Sequence, residues 1–280
     1  MTSTASRQMK HEPEPLSSLV VIPTPKEPWS FMALMADILR LPDETLAMAF
    51  IYVNRFNKYT RSSEATPALD PNTLALASLS IASKSSEAPR RLREFLLPAW
   101  RLIQSKNPSA QPLTFPSSLY DSLRTTLVQA ELILLRVLKF ELRLALPLDF
   151  LPRYLDRTIG EVNAGGGGWG GTEDYDGHEK EHRDEYQMID LMDTRLGKAC
   201  RLKAIEVCKN YQLSNFFPAR ALAAACVYVT FQDYGFNVGG DRSTWLEEVT
   251  SGKVDIEDFD EVLVGSKKWC QALPNQPSQT

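Results

Sequence analysis

The chain has 280 residues, of which 43% are apolar and 24% are charged, and its formal net charge is −4. This length is sufficient for one large domain or two of ordinary size. A nucleic-acid-binding surface needs clustered Lys and Arg, so the mild acidity predicts no direct nucleic-acid partner. The first residues lack the apolar core of a signal peptide, and no run of apolar residues is long enough to span a bilayer. The sequence therefore predicts a soluble, intracellular protein without a membrane partner.

The first half of the sequence begins with a proline-rich segment, residues 1–28, which we predict to be a disordered tail because it has few aromatic residues. A helix is expected from about Trp29, with Ser30 as its cap. Asp43 is expected to cap a second helix from Glu44 to about Asn57, where apolar residues recur at helical spacing.

The third helix has the strongest start signal, with Asp70 at the cap position and Pro71 at the first helical position. Pro89 ends that region, and a fourth helix is predicted from Arg90 to Ile103. A proline-containing loop separates it from a fifth and longest helix.

The fifth helix is predicted over 118–140, and its apolar residues become nearly continuous from Leu132 to Leu138. A helix that is apolar on most sides is typical of a buried position. Five helices without strand-like alternation predict an all-α bundle.

The second half begins with a helix near Pro147, followed by an acidic, Gly-rich insert at about 161–186 that is expected to be flexible. Further helices are predicted at about 187–210, 218–234, 243–249 and 256–272. When Pro71 is aligned with Pro218, both are followed by runs of small and medium apolar residues. Two Ala-rich buried helices can also match by chance, but we favour two consecutive five-helix bundles of similar plan, the second degenerate.

Two charged residues occur where buried helices should not have them. Glu131 lies between Ala130 and Leu132, and a buried carboxylate needs a partner because its isolated burial is costly. Lys84, at the end of the third helix, is the natural partner if the third and fifth helices pack together. In the alternative, both charges are solvated and Lys84 pairs with Glu87 one turn further on.

Several segments resemble the motifs of the cyclin box, in the right order and at compatible spacing. More specifically, the sequence resembles the transcription-type cyclins of the C, K, L and Q groups. The segments that carry this resemblance are Thr45–Phe56, Leu79–Arg90, Glu131–Leu142, Pro147–Leu151 and Pro218–Tyr228.

This resemblance implies a regulatory subunit, without catalytic activity or cofactor, that binds and activates a cyclin-dependent protein kinase as a heterodimer. It also implies a role in transcription or RNA processing and a location in the nucleus. The family's kinase-contacting residues correspond to Lys84 and Glu131, with Glu87 as an additional partner-binding residue. Phe231 stands at the position of Lys84 in the second half, so only the first bundle is expected to make this contact.

The implied domain organisation has four parts. Residues 1–28 form the tail, 29–145 the first, kinase-binding cyclin box, 146–272 the second repeat with its insert, and 273–280 a second tail.

The alternative to a cyclin is a general transcription factor of the TFIIB type, which uses the same paired fold to bind DNA and protein. That class usually carries an N-terminal zinc ribbon, and the N-terminus here has no cysteine.

Other residue combinations predict no catalytic or metal site. His178 and His182 have a spacing that can bind a metal on a helix, but they lie in the Gly- and Asp-rich segment. The four cysteines have no CxxC pair and are expected to be small buried residues in a reducing compartment. The arginines at 90, 91 and 93 form a basic cluster, expected to be a solvated helix face, with a kinase-facing or targeting role as the alternative.

Overall fold

The computed structural model describes residues 28–62, 69–105, 107, 109–165, 190–236, 238 and 241–270. Within these ranges the regular structure is helical and contains no strand, which confirms the predicted all-α class. Short 3₁₀ helices occur at Pro147–Phe150 and Leu191–Asp193. The α-helices are α1 (Pro28–Leu39), α2 (Asp43–Ser62), α3 (Pro71–Ser85), α4 (Leu92–Ile103), α5 (Ser118–Val137), α6 (Leu151–Gly165), α7 (Arg195–Lys209), α8 (Tyr211–Phe216), α9 (Ala219–Asp233), α10 (Arg242–Thr250) and α11 (Ile256–Cys270).

Helix α3 lies at the centre of the first group of helices. Its start follows the prediction, since the Asp70 carboxylate accepts hydrogen bonds from the amides of Asn72 and Thr73 and Pro71 is the first helical residue. Every residue from Leu74 to Ser83 is buried. Helices α1, α2, α4 and α5 all contact α3, and its many Ala and Ser side chains allow these neighbours to approach closely.

Helix α9 has the corresponding surroundings in the second half of the chain. Its residues from Ala221 to Phe231 are buried except for the half-buried Tyr228. Helices α6, α7, α10 and α11 contact it. The described chain therefore contains two central helices, each surrounded by four others.

The two groups of helices meet where α2 contacts α7 and α8. Asn54 of α2 is fully buried, and its Nδ2 donates to the carbonyl oxygens of Cys208 (2.9 Å) and Lys209 (3.3 Å) and to Ser214 Oγ (2.8 Å). Asn215 Nδ2 in turn donates to the carbonyl oxygen of Asn54 at 3.2 Å. This one side chain therefore satisfies carbonyl groups at the end of α7, which would otherwise be unpaired in the interior.

Several predicted boundaries were wrong. Helix α1 begins at Pro28, a residue assigned to the tail, so Ser30 lies inside the helix rather than capping it. A proline fits this first position because its missing N–H is not needed there. Helix α5 ends at Val137 rather than Phe140, since Lys139 and Phe140 have φ values of 52° and 60°.

The helix predicted over 187–210 was also too long. The chain forms a 3₁₀ helix at Leu191–Asp193, and α7 begins only after Thr194, whose side chain accepts from the Gly197 amide. Helix α8 was not predicted; the Asn210 side chain caps it by accepting from the amides of Gln212 and Leu213.

The predicted acidic insert is helical at its beginning, because α6 continues to Gly165. The rest of the insert, including His178 and His182, lies outside the described residues, as do residues 1–27 and 273–280. Among the described helices, none combines the length and the hydrophobicity needed to cross a bilayer.

Three cysteines, Cys200, Cys208 and Cys226, are buried and free of disulfide bonds, as expected for small core residues. Burial raises the pKa of the Cys200 thiol to about 11 and that of Cys208 to about 12. Both therefore stay protonated and unreactive at neutral pH. Cys270 is at the end of α11, and its side chain lies outside the described residues.

Substitution of Asn54 tests the junction between the two groups. Asn54→Ala removes three hydrogen bonds and leaves buried carbonyl oxygens unpaired, so we expect the free energy of unfolding to fall by about 2 kcal/mol. Chemical denaturation followed by circular dichroism measures this change. Asn57→Ala, on the same helix but with a half-buried side chain, is the control and should change stability by less than about 0.5 kcal/mol. An equal effect of the two substitutions would contradict the assigned role of Asn54.

Candidate functional site

The C-terminal end of α3 is held in a defined conformation by main-chain hydrogen bonds. The amide of Ser86 donates to Ala82 O and that of Ala88 to Ser83 O, both at 2.9 Å. Between them Glu87 has a φ of 59°, in the left-handed region. These features form a Schellman motif, in which the left-handed position is usually a glycine. A glutamate at this position is strained, by roughly 1–2 kcal/mol.

An ion pair connects this end of α3 to α5. Lys84 Nζ lies 2.8 Å from both carboxylate oxygens of Glu131. The Glu131 side chain is only 11% exposed, whereas that of Lys84 is 48% exposed. The carboxylate is therefore buried beneath a lysine that still reaches the surface, and the cation is further favoured by its place in the last turn of a helix.

Three hydrogen bonds between neighbouring elements hold the surroundings of Lys84. The carbonyl oxygen of Leu142, in the segment after α5, accepts from Tyr52 Oη at 2.6 Å and from Ser85 Oγ at 3.2 Å. Burial raises the pKa of the Tyr52 phenol, which therefore remains a neutral donor. Ser86 Oγ donates to Ala82 O, so its contact with Thr45 Oγ1 at 2.6 Å is one in which Thr45 donates. Helix α2 and the segment after α5 thus fix the end of α3.

An exposed apolar surface lies beside the ion pair on α5. Leu132, next to Glu131, is 50% exposed, and Val128 lies one turn away on the same face. The prediction that α5 is buried on most sides was therefore wrong. Its buried residues are only Tyr120, Leu127, Ala130, Glu131 and Leu134.

The structure brings together the residues that the sequence singled out. The predicted contact between Lys84 and Glu131 is present, and Glu87 is exposed at the same end of α3. The alternative pairing of Lys84 with Glu87 is wrong, because Lys84 pairs with Glu131. Sequence reasoning missed Tyr52 and Thr45, whose polar groups carry no signal in an apolar helix pattern. The role of these residues in binding a partner stays a prediction.

The other candidate groups do not form a chemical site in the described part of the chain. No cluster of three or more His, Cys, Asp or Glu side chains with metal-binding geometry occurs there. The arginines at 90, 91 and 93 lie on the surface at the start of α4, with Arg91 and Arg93 exposed. Arg90 is partly buried and donates from Nε to Leu39 O at 3.2 Å.

Comparison with known protein families matches residues 27–143 to the cyclin, N-terminal domain. The predicted resemblance is confirmed, and Lys84, Glu87 and Glu131 all lie within the matched residues. The cyclin family consists of regulatory, not catalytic, subunits of protein kinases.

Known proteins similar to the matched part of the chain include plant T-type cyclins. The chain is 28% identical over 121 residues to cyclin-T1-5 of Arabidopsis thaliana, covering 42% of this chain and 20% of that protein. It is 26% identical over 121 residues to cyclin-T1-3 of Oryza sativa subsp. japonica, covering 42% and 24%. The match thus spans only a fifth to a quarter of these relatives.

A solved structure is similar over a larger part of the chain. A chain in the crystal structure of the yeast RNA Pol II CTD kinase CTDK-1 complex matches with a TM-score of 0.50 and 12% identity. The match covers 89% of this chain and 77% of that one, and at this identity it shows the fold alone. None of these comparisons favours the TFIIB-type alternative.

Substitution of Glu87 tests the strain at the end of α3. Glycine adopts a positive φ without a Cβ clash, so Glu87→Gly should raise the free energy of unfolding by about 1 kcal/mol. Chemical denaturation measures the gain. Glu87→Ala is the matched control, since it removes the carboxylate but keeps the Cβ and should give no comparable gain. If the two variants have equal stability, the left-handed conformation of Glu87 is not a source of strain.

Proposed function

We propose that this chain is the regulatory subunit of a cyclin-dependent protein kinase, which it binds as a heterodimer and activates. The observation that carries the proposal is the Lys84–Glu131 ion pair at the edge of the cyclin domain, with Glu131 buried and Leu132 exposed beside it. The proposal assigns catalysis to the partner kinase and none to this chain.

The chemistry of the ion pair suits the recognition of a helix in the kinase. Lys84 Nζ carries three N–H groups, of which two point to the Glu131 oxygens, so one can donate to a main-chain carbonyl of the partner. Each carboxylate oxygen also has a further lone pair for a main-chain N–H. Glu87, exposed three residues after Lys84, adds a second carboxylate at the same edge.

Activation follows from a difference in affinity for two kinase conformations. A protein kinase is active only when its regulatory helix is turned inward and a Lys–Glu ion pair forms within the kinase. A rigid surface that binds the inward conformation more tightly shifts the population towards it. The Schellman motif and the Leu142 contacts supply that rigidity on the cyclin side.

The proposed organisation has two cyclin boxes, at 29–145 and 146–272, between tails at 1–28 and 273–280, with the insert at about 161–186 in the second box. The similar surroundings of α3 and α9 support it. In the second box, Phe231 stands in place of Lys84 and is buried. A buried phenylalanine cannot offer a charged contact, which supports a kinase-binding role for the first box alone.

A role in transcription or RNA processing, and therefore in the nucleus, is part of the same proposal. It is supported by the similarity to T-type cyclins.

The direct test is kinase binding by variants of the ion pair. Lys84→Ala or Glu131→Ala leaves one charge unpaired in a desolvated interface, a cost of roughly 2–5 kcal/mol. Co-purification of a cyclin-dependent kinase with the tagged full chain should therefore be lost, while circular dichroism shows an unchanged helical content. The matched control is Lys203→Ala with Asp233→Ala, which removes a lysine–carboxylate pair of 2.6 Å between α7 and α9 and should leave kinase binding intact.

The exchanged variant, Lys84→Glu with Glu131→Lys, separates recognition from folding. It can re-form an ion pair between α3 and α5 with the charges reversed. If the pair only holds the two helices together, the exchange restores kinase binding. We expect binding to remain lost, because the donor and acceptor then face the wrong groups of the partner. Restored binding would refute the proposed contact.

A further inference from the structure

We propose that a cleft in the first group of helices binds a phosphorylated peptide segment. This cleft, the arginine groove, lies between the first turn of α4 and the start of α5 and has a volume of about 690 Å³. Four arginines line it: Arg90, Arg91 and Arg93 from α4 and the segment before it, and Arg124 from α5. Two carboxylates oppose them: Asp121 lines the groove, and Glu94 accepts from the main-chain amide of Arg91 at its edge at 2.8 Å, so the groove keeps an excess of positive charge.

Three of these guanidinium groups are available to a ligand. Arg91, Arg93 and Arg124 are exposed, and within the described residues they form no ion pair. Arg90 is held in place by its donation to the carbonyl oxygens of Leu39 and Arg40. A planar guanidinium donates two parallel hydrogen bonds to phosphate, and clustered arginines are the usual means of recognising a phosphorylated side chain.

The helix geometry adds to the positive potential. Helix α4, of 12 residues, and helix α5, of 20 residues, both begin at this groove. The aligned dipoles of a helix favour an anion at its N-terminus. At the start of α5 the Ser117 hydroxyl already accepts from the Tyr120 amide, and Glu94 contributes a carboxylate at the start of α4, so the four arginines are the main source of the positive potential. Four arginines around one concave surface favour a dianion over a single carboxylate.

The walls and ends of the groove indicate a peptide rather than a nucleic acid. Phe115 and Tyr120 form an aromatic wall, with their rings 4.7 Å apart in an edge-to-face arrangement. The groove continues into two smaller clefts. One shares Arg90 and Arg93 with the groove and adds Ile38, Leu97 and the carboxylate of Glu94, and the other shares Arg124 and adds Val128. The two clefts add apolar side chains and no further arginine, so the positive charge is limited to the four arginines of the groove. A phosphopeptide with apolar flanking residues matches this pattern, whereas a nucleic acid presents phosphates along its whole length.

The inference does not depend on the proposed kinase subunit function, because the free chain should bind the peptide. The groove ends at Val128, one turn from Leu132, so a bound segment would extend to the surface assigned to the kinase. We therefore assign the groove to a phosphorylated segment of a substrate that the kinase holds.

Fluorescence anisotropy with the full chain tests the proposal. The probe is a labelled peptide that carries two phosphoserines between leucines, and its unphosphorylated form is the comparison. Wild-type protein should bind the phosphorylated form, and Arg91→Glu and Arg124→Glu should each weaken binding about tenfold or more. The matched controls are Arg101→Glu and Arg136→Glu, exposed arginines in the last turns of the same two helices, which should bind as wild type.

Several results would overturn the proposal. Equal binding of the unphosphorylated peptide would exclude phosphate recognition. If the groove variants and the control variants lose the same affinity for the phosphorylated peptide, binding depends only on the overall charge of the protein. Tighter binding of a single-stranded RNA of similar length would make the groove a nucleic-acid site. Loss of kinase co-purification by the groove variants would make the groove part of the kinase contact and would contradict its assignment to a substrate segment.

Discussion

The burial of α3 on every side is the constraint on which the rest of the first group depends. Four helices can contact one helix closely only if its side chains are small, and Ala75, Ala77, Ser78, Ser80 and Ala82 meet that requirement. Close packing fixes where α5 lies against α3. Lys84, the charged residue in the last turn of α3, therefore emerges within reach of Glu131, and the buried carboxylate obtains the partner that its burial requires.

The edge formed by the end of α3 and by α5 is both rigid and exposed. The end of α3 is held by the Schellman motif and by the two hydrogen bonds to Leu142, so its polar groups have little freedom to rearrange. Lys84 and Leu132 nevertheless remain accessible to a partner. A surface that is ordered before binding loses little entropy when it binds, and this is the property that a regulator of kinase conformation needs. Glu87, with its strained backbone, is exposed at the same edge.

The sequence predicted much of this arrangement because some of its signals are local. Asp70 and Pro71 mark the start of α3 through backbone chemistry alone, and Glu131 stands out because a carboxylate is costly among apolar residues. The burial of α5 was predicted wrongly, since an apolar face packed in a core and one awaiting a partner have the same sequence pattern. Helix α8 was missed because the cap at Asn210 interrupts a continuous helical periodicity. The arginine groove could not be predicted, since Arg124 reaches it from a different helix.

The central claim is that the kinase contacts the edge formed by α3 and α5. Amide hydrogen exchange of the full chain, alone and with the kinase that co-purifies with it, tests this most directly. The account predicts slower exchange in the kinase complex at residues 82–88 and 128–136, with α10 and α11 unchanged. Protection confined to α6–α11, with none at the end of α3, would contradict it.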